Sequence, residues 1–447
     1  MPDTSTLHRI AATATLLLGL FGCGRAQSPP RGVILISLDT LRADYLNLYG
    51  YERFETSPFL DRFAEEALVF DHCVVSEPHT LISHMSLLTG LHPQNHRVDR
   101  STALGENITT LASQLRDRGY ATAAFADGGY LIPRYGFDRG FDVYEGRKRR
   151  GLARILEEAR DWLRRYRDFP FFLFLQTYDV HSRGAAPRYR APAPFEGMFS
   201  DGSSSPLADP ARPFPSVFAA NRDRLSEEDR AYIRATYAEG VRSVDAQLQE
   251  FSSFLAEEGL YEDSLIVVWS DHGEGLGHHE DWLHSELYDG TIRCALLMKI
   301  PGVDGGRRIG SVVSSVDIAP TLLELVGAAR PAGLDGVSFA ARLSRDESSG
   351  EGFTRVGGGR GFSIRTPTHH LLWDRAADRY ELYDLEADPG ESRNLSPSDG
   401  TIEVDLRRRL HGFAAQHDAQ LGRAPKGPPA GLDAEAEEQL RELGYLE

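Results

Sequence analysis

Short apolar runs predict a series of buried strands over the first 300 residues of the chain. The runs cover residues 33–38, 121–126, 171–175, 265–269 and 295–300. Uninterrupted apolar segments of this length are typical of strands buried on both faces of a sheet, whereas half-exposed strands alternate apolar with polar residues. A sheet built from such strands needs cover on both sides.

Apolar positions at helical spacing lie between these runs and predict the covering helices. Ser57 and Pro58 offer a cap and a first-turn proline for one helix, and another is predicted around residues 111–118. Ser226 and Asp229 form a capping box for a long amphipathic helix that runs to about residue 255. Strands that alternate with helices predict an α/β fold, here an α/β/α sandwich with a large, mostly parallel mixed sheet.

The C-terminal part of the chain predicts a smaller subdomain with a short antiparallel sheet. Its predicted elements are strands at residues 370–373 and 379–385, a mobile Gly/Ser-rich loop at 344–361, and a terminal helix at 434–443 with Asp433 as its cap. Residues 184–221, rich in Pro, Ala and Ser, form a long loop that is a candidate lid or specificity element. We therefore divide the chain into a main domain, residues 32–335, and a C-terminal subdomain with the terminal helix, residues 336–447.

The N-terminus carries a short apolar run that predicts export. His8 and Arg9 precede apolar residues 16–21, which end at Gly22-Cys23. The run is too short for a permanent membrane span and is typical of a secretory signal, residues 1–22. Residues 20–23 resemble a bacterial lipobox, which implies lipidation of Cys23 and a tether over residues 23–31. The predicted protein is an exported lipoprotein anchored in the membrane and facing the periplasm or cell surface; cleavage without lipidation and an uncut anchor are the alternatives.

Charge and cysteine content narrow the function classes. The 447 residues carry a formal net charge of −17, which repels nucleic acid and excludes a nucleic-acid partner. An anionic substrate remains possible because a bound cation reverses the sign of the potential locally. Cys73 and Cys294 sit among apolar residues and are interpreted as buried free thiols, although two cysteines of an exported protein could also pair.

Polar residues of metal-ligand type follow three of the predicted strands. Asp39 follows the first, Asp179 and His181 the third, and Asp271 and His272 the fourth. Ligands in open α/β sheets bind beyond the carboxyl ends of strands, so these side chains are expected at one rim. Carboxylates with a histidine suit a divalent cation. An aspartate after a strand is more often a turn residue or a helix cap, and only the joint pattern indicates a metal site.

Thr80 opens a predicted helix that Gly90 ends. Backbone N–H groups and the helix dipole favour an anion at that end. A threonine hydroxyl in contact with a cation there could lose its proton and attack phosphorus or sulfur. The alternative is that Thr80 is only a helix cap.

Four histidines lie within 13 residues near the fourth strand: His272, His278, His279 and His284. Histidine can bind a metal, contact an oxyanion or protonate a leaving group. A partly buried polar loop explains His278 easily but explains the whole set poorly.

Several spaced motifs together resemble the sulfatase family of the alkaline phosphatase superfamily. They comprise residues 37–44 with Asp39, residues 270–274 with Asp271-His272, Tyr178-Asp179-Val180-His181, Trp282, His284, Tyr288 and Arg293, and the later segments 317–323 and 381–385. The resemblance covers residues 32 to about 396 and implies the family's α/β fold, its C-terminal subdomain and ester hydrolysis. It also makes the main domain the catalytic one.

The departures from the family pattern concern the reactive group. Thr80 stands ten residues before Gly90, where a sulfatase has the cysteine that becomes formylglycine. Ile82 and His84 replace the proline and arginine of that motif, Asp39-Thr40 offers one metal ligand fewer than the usual pair of aspartates, and residues 126–129 lack the expected lysine and histidine.

The resemblance implies one divalent cation, Ca²⁺, Mg²⁺, Mn²⁺ or Zn²⁺, with Asp39, Thr80, Asp271 and His272 as its ligands. Thr80, His181 and His284 are the predicted catalytic residues. The predicted substrate contacts are His84, His181, His284 and Arg293.

The expected function is hydrolysis of a sulfate or phosphate ester of a small molecule or glycan. Phosphate is favoured because a threonine phosphoester is an intermediate that metal-activated water can resolve, whereas a threonine ester lacks the route by which formylglycine expels sulfate. Three alternatives stay open: a sulfate ester hydrolase without formylglycine, a transferase that passes the group to an acceptor, and an inactive protein that binds anionic glycans.

Overall fold

A computed structural model describes residues 30–446, except 147–148, 185, 210, 212–213, 215–217, 220–223, 344–347 and 399. The predicted signal peptide, Cys23 and the tether up to residue 29 lie outside the described residues. Within the described part of the chain, no helix has the length and hydropathy needed to cross a bilayer.

A mixed eight-stranded sheet forms the centre of the molecule, in the order β10-β2-β9-β7-β1-β6-β4-β5. Its strands are β1 (Gly32–Leu38), β2 (Leu68–Phe70), β4 (Ala121–Ala126), β5 (Val143–Glu145), β6 (Phe171–Thr177), β7 (Ser264–Trp269), β9 (Leu296–Lys299) and β10 (Arg307–Ile309). The central strand β1 pairs in parallel with β6 on one side and with β7 on the other. Only β9 runs antiparallel to its neighbours β2 and β7.

Helices cover both faces of this sheet. They are α1 (Pro58–Ala64), α2 (Thr80–Thr89), α3 (Pro93–His96), α4 (Leu111–Arg116), α5 (Leu152–Tyr166), α6 (Glu227–Glu257), α7 (Asp289–Ile292) and α8 (Ile318–Leu325). Short 3-10 turns lie at Ala43–Tyr45, Asn47–Tyr49, Pro133–Tyr135, Pro206–Ala208, Ser315–Asp317 and Ala340–Arg342. Alternate residues of β1 enter opposite cores: Val33 and Leu35 pack with α2, α4 and α8, whereas Ile34 and Ile36 pack with α1, α5 and α6. The predicted α/β/α sandwich is confirmed.

Two smaller sheets complete the fold. Short strands β3 (Cys73–Val74), β8 (Arg293–Cys294) and β11 (Val313–Ser314) form one of them, in which Cys73 lies opposite Cys294 and both remain free, buried thiols. The other is the predicted antiparallel C-terminal sheet, β12 (Gly352–Val356), β13 (Gly361–Arg365), β14 (His369–Asp374) and β15 (Arg379–Asp384), covered by helix α9 (Thr401–Leu421). Helix α10 (Ala434–Glu442) lies near the C-terminus, and the described chain continues beyond it to residue 446.

The expectation of a mobile loop over residues 344–361 is wrong for its second half. Strand β12 lies there and pairs along its whole length with β13. The backbone of β12 also reaches the main domain, because Arg355 N–H donates to Ser76 O. The preference of a segment for a strand depends on the residues that it packs against, so the residues of β12 alone do not show a strand pattern.

Local signals set several helix ends as expected. Ser226 and Asp229 exchange both hydrogen bonds of the capping box at the start of α6. Asp433 accepts the backbone N–H of Ala436 at the start of α10. Gly90 ends α2 in the left-handed conformation, at φ 65°, which a glycine adopts without a steric penalty.

Removal of a buried side chain from the central strand β1 is expected to destabilise the whole α/β/α sandwich. Leu35 is fully buried between β6 and β7, so Leu35→Ala is expected to lower the free energy of unfolding by about 2–5 kcal/mol. Val337, which is 53% exposed, gives the matched change Val337→Ala, with an expected loss below about 0.5 kcal/mol. Urea unfolding monitored by tryptophan fluorescence measures both. Equal losses in the two variants would contradict the position of Leu35 in the core.

Candidate active site

Two neighbouring parallel strands, β1 and β7, deliver polar side chains to one edge of the large sheet. Asp39 follows β1, and Asp271 and His272 follow β7 two and three residues after Trp269. These three residues are fully buried, and they offer ligand atoms that all lie within 4.8 Å of one another. The geometry is that of a candidate metal centre.

The two carboxylates of this cluster are only half satisfied by the protein. Asp271 Oδ1 accepts the backbone N–H groups of Thr40 (3.2 Å) and His272 (2.9 Å). Among the described residues, Asp271 Oδ2 and Asp39 Oδ1 have no hydrogen-bond partner. Burial, and after it the charge of Asp271, raises the pKa of Asp39 well above its ordinary value. Buried carboxylates with free oxygens are costly unless a cation neutralises them, so these residues fit a divalent ion.

Thr40 contributes its backbone to the cluster. Its φ is 55°, a left-handed conformation that is strained for a β-branched residue. This turn aims the Thr40 N–H at Asp271, and Tyr237 holds it by donating its hydroxyl to Thr40 O at 2.7 Å. Thr40 therefore helps to orient one carboxylate in a segment that lacks the second aspartate of the family pattern.

Thr80 is the first residue of α2, and polar side chains of that helix fasten it to the strand ends. Ser83 Oγ donates to Asp271 O at 2.6 Å. His84 Nδ1 donates to Thr80 O at 2.8 Å, while its Nε2 accepts from Ser37 Oγ at 2.8 Å. As a result Thr80 Oγ1 lies 3.2 Å from His272 Nε2, next to the candidate metal ligands.

His181 and His284 stand side by side over this cluster in different electrostatic surroundings. Their ring centroids are 5.5 Å apart, and the ring of His284 is 4.6 Å from that of His272. Burial, reinforced by His284, holds the pKa of His181 well below its ordinary value. Burial also opposes a charge on His284, but Glu274, whose Oε1 accepts from His284 Nδ1 at 3.0 Å, outweighs it and raises the pKa of His284. One imidazole is thus neutral while its neighbour favours the charged form.

The structure does not bring every predicted residue to this place. His84 is fully buried behind Thr80 and does not line the cleft. Arg293 lies outside the cleft, where it pairs with Asp289 at 3.3 Å. Asp179 accepts the N–H of Leu152 at 3.0 Å and so caps α5.

The histidine-rich loop divides between two environments. His272 and His284 reach the cluster, whereas His278 and His279 point toward the C-terminal sheet. There His278 Nε2 donates to Gly390 O, and His279 stacks on Tyr288 with ring centroids 3.6 Å apart.

Two further side chains reach this place without a signal in the sequence pattern. The hydroxyl of Tyr445, three residues beyond α10, lies 2.8 Å from Thr80 Oγ1 and 2.9 Å from His181 Nε2. His79, just before α2, lines the cleft, and neither of its ring nitrogens has a partner among the described residues. A terminal helix and a helix N-terminus are visible in the sequence, but their meeting is not.

A cleft of about 920 Å³ opens above these residues. His79, His181, His284 and Tyr445 form its inner wall, whereas Asp39, Thr80, Asp271 and His272 are fully buried beneath that wall. Of the described lining residues, five are cationic and three are acidic: Arg97, Arg100, Arg355, Arg360 and Lys426 against Glu77, Asp99 and Asp281. The cleft is therefore locally basic on a chain whose net charge is −17, as an anionic ligand requires.

Comparisons with known proteins show the family of the chain. The family model described as "Sulfatase" matches residues 31–328, and the model described as "N-sulphoglucosamine sulphohydrolase, C-terminal" matches residues 277–416. An arylsulfatase of Clostridium perfringens is 23% identical over 459 aligned residues, which cover 85% of this chain and 93% of that protein.

Solved structures with the same fold include a protein bound to a disulfated sugar substrate and a phosphonate monoester hydrolase. A protein in complex with its substrate D-glucosamine-2-N,6-O-disulfate superposes with a TM-score of 0.69 at 20% identity, over 89% of this chain and 98% of that one. The phosphonate monoester hydrolase of Agrobacterium radiobacter gives a TM-score of 0.68 at 22% identity, over 87% of this chain and 96% of that one.

Because the two carboxylates are only half satisfied, a divalent cation is expected to reverse the order of stability of the wild type and the Asp39→Asn variant. Without a divalent ion, Asp39→Asn removes one of two crowded buried charges, so the variant is expected to melt at or above the wild-type temperature. With a cation at about 100 times its Kd, the wild type is expected to gain about 2.7 kcal/mol and the variant far less. Thermal unfolding in EDTA and in excess Ca²⁺, Mg²⁺, Mn²⁺ or Zn²⁺ measures both states.

The matched control for this change is Asp168→Asn, because the Asp168 side chain is 84% exposed. It should follow the wild type in every condition. A wild type that no cation stabilises, or an Asp39→Asn variant that gains as much as the wild type, would contradict the metal centre.

Proposed function

The chain belongs to the sulfatase family, whose members are hydrolases of sulfate and phosphate esters, and from that premise we propose that it hydrolyses an anionic ester with Thr80 as the nucleophile. Phosphate esters are favoured over sulfate esters. The observation that carries the proposal is the position of the Thr80 hydroxyl, 3.2 Å from His272 Nε2 at the edge of a candidate metal centre.

Asp39, Asp271 and His272 are the residues that would hold the divalent ion. When bound, such an ion supplies positive charge that favours the alkoxide form of a neighbouring hydroxyl and offsets negative charge on the transferring group. Burial lowers the pKa of His272 to about 4, so its imidazole is neutral at physiological pH. Its Nδ1 donates to Gly273 O, which leaves Nε2 with a free lone pair.

His181 and His284 are proposed to divide the acid–base work. A neutral imidazole beside one that favours the cationic form is the arrangement expected of a base next to an acid. We assign His181 to the acceptance of a proton and His284, supported by Glu274, to its donation to the departing alcohol. Both rings line the cleft and can contact the transferring oxyanion.

The chemistry of the nucleophile supports phosphorus over sulfur. Thr80 is a threonine and cannot become formylglycine, so the route that expels sulfate from a formylglycine hydrate is closed. A threonine phosphoester can be resolved by activated water, as in other covalent phosphoryl-transfer mechanisms. Hydrolysis of sulfate esters through the unmodified hydroxyl, and transfer to an acceptor other than water, are the second and third candidates.

The basic cleft supports a substrate with more than one anionic group. The wall of the cleft carries Arg97, Arg100, Arg360 and Lys426, which can bind further anionic groups of the same ligand. A related fold binds a disulfated glucosamine, so a charged sugar ester is our preferred substrate class. An inactive protein that only binds anionic glycans would also use this wall, but it has no need of the aligned Thr80 and histidines.

Hydrolysis of a panel of esters tests the nucleophile. Wild-type protein with a divalent cation is expected to hydrolyse phosphate mono- or diesters faster than aryl sulfates. Thr80→Ala is expected to lower kcat by on the order of 10⁴- to 10⁶-fold, as is typical for loss of a nucleophile. Thr80→Ser, which keeps a hydroxyl, is the matched control and should retain substantial activity. Sulfatase activity that survives in Thr80→Ala would overturn the assignment.

We also propose that the mature protein is exported and held at the membrane through Cys23, on the strength of the N-terminal pattern. In a bacterial host the wild type is expected to sediment with membranes, and Cys23→Ala should move it to the soluble periplasmic fraction. Fractionation with immunodetection measures the distribution, and Cys73→Ala is the control for loss of a thiol. Equal distributions of wild type and Cys23→Ala would exclude the lipid anchor.

A further inference from the structure

Tyr445, three residues beyond helix α10, lies at the centre of the candidate active site. Its hydroxyl bridges Thr80 Oγ1, at 2.8 Å, and His181 Nε2, at 2.9 Å. Its ring lies against the rings of Tyr130 and His284, with centroids 4.6 and 6.0 Å away. Among the described residues, Tyr445 is thus the one side chain that hydrogen-bonds to both the proposed nucleophile and the proposed base.

The segment that carries Tyr445 is anchored at several points. Leu440 of α10 is fully buried in the core that also contains α2. Gly444, at φ 83°, ends the helix and turns the chain so that Tyr445 N–H donates to Leu440 O at 2.8 Å. A second bond fixes the helix itself, because Gln439 Oε1 accepts the backbone N–H of Gly129 at 3.0 Å.

The main domain leaves room for this segment. Residues 126–129 carry no basic side chain, and Gly129 faces the terminal segment directly. A Cβ at Gly129 would lie 2.8 Å from Leu443 Cδ1 and 2.7 Å from the hydroxyl of Tyr178. A side chain at position 129 would therefore crowd Tyr178 and the terminal segment, and the φ of 60° at this position also favours glycine.

The hydrogen-bond partners define which groups donate and which accept in the chain of hydrogen bonds from Thr80 through Tyr445 to His181. His181 Nδ1 lies 2.7 Å from Ser182 O, and a carbonyl can only accept, so Nδ1 carries the proton. The Nε2 of a neutral His181 is then an acceptor, and the Tyr445 hydroxyl donates to it. The Tyr445 oxygen in turn accepts from the Thr80 hydroxyl.

We propose that Tyr445 is a further catalytic residue that passes the proton of the Thr80 hydroxyl to His181 during attack on the ester. The inference rests on the proposed function of Thr80. As the bond from Thr80 Oγ to phosphorus forms, the Thr80 proton moves to the Tyr445 oxygen and the Tyr445 proton moves to His181 Nε2. The bond from phosphorus to the alcohol oxygen breaks, and that oxygen keeps the electron pair and takes a proton from His284.

This role predicts a kinetic defect when only the hydroxyl is removed. Tyr445→Phe keeps the ring and its packing, so thermal stability and KM should change little. Loss of one positioned proton-transfer group is expected to lower kcat about 10²- to 10⁴-fold. Single-turnover measurement of Thr80 phosphorylation with a substrate from the panel should show the same loss in the first chemical step, which a merely structural role would not produce.

Tyr130→Phe is the matched control, because the ring of Tyr130 packs against that of Tyr445 and its own hydroxyl has no partner among the described residues. It should keep wild-type kinetics. A second variant, truncated after Gly444, should be as impaired as Tyr445→Phe.

Several outcomes would overturn the relay. If Tyr445→Phe or the truncated chain is as active as the wild type, the hydroxyl carries no proton; if either is faster, Tyr445 merely covers the nucleophile. In both cases an inactive Thr80→Ala would leave the proposed function standing. A wild type that hydrolyses no ester of the panel would instead remove the proposed function and the relay together.

Discussion

The arrangement of the candidate site depends on two aspartates that the fold brings together in its interior. Asp39 and Asp271 are fully buried at the ends of adjacent strands, and each keeps an oxygen that no described residue satisfies. Like charges at such a distance in a medium of low dielectric repel strongly, so the fold tolerates them only with a neutralising partner. The continuous apolar strands β1 and β7 supply the rigidity that holds the two carboxylates in this position.

Helix α2 is arranged around that centre. Its first residue presents a hydroxyl to His272, and Ser83 and His84 bind the helix to the strand ends beneath it. Every residue of α2 is buried, because the helix packs against the 3-10 turn Ser315–Asp317 and helices α3, α4 and α8. The burial that fixes the position of Thr80 also removes it from solvent. The access of a ligand to Thr80 therefore depends on the side chains that line the cleft.

Burial and neighbouring charges also determine the protonation of the two histidines above the carboxylates, His181 and His284. The rings of His181 and His284 touch, yet burial keeps the first neutral while Glu274 favours a charge on the second. Tyr445, which lies 365 residues further along the chain than Thr80, hydrogen-bonds to both Thr80 and His181. The segment that follows the terminal helix α10 therefore lines the cleft above Thr80.

The sequence by itself determined five of the eight strands of the main sheet, the helix caps at Ser226 and Asp433, and the gathering of Asp39, Asp271 and His272 at one edge; the three-residue strands β2, β5 and β10 were not predicted. The predicted features follow from local periodicity and from the rule that parallel strands end on the same side of a sheet. Only the tertiary structure decided that Asp179 caps a helix, that His84 and Arg293 stay away from the cleft, that residues 352–356 form a strand, and that Tyr445 meets Thr80. Those outcomes depend on contacts between distant segments, because the direction of a side chain within a packed interior is set by its neighbours and leaves no trace in the local pattern.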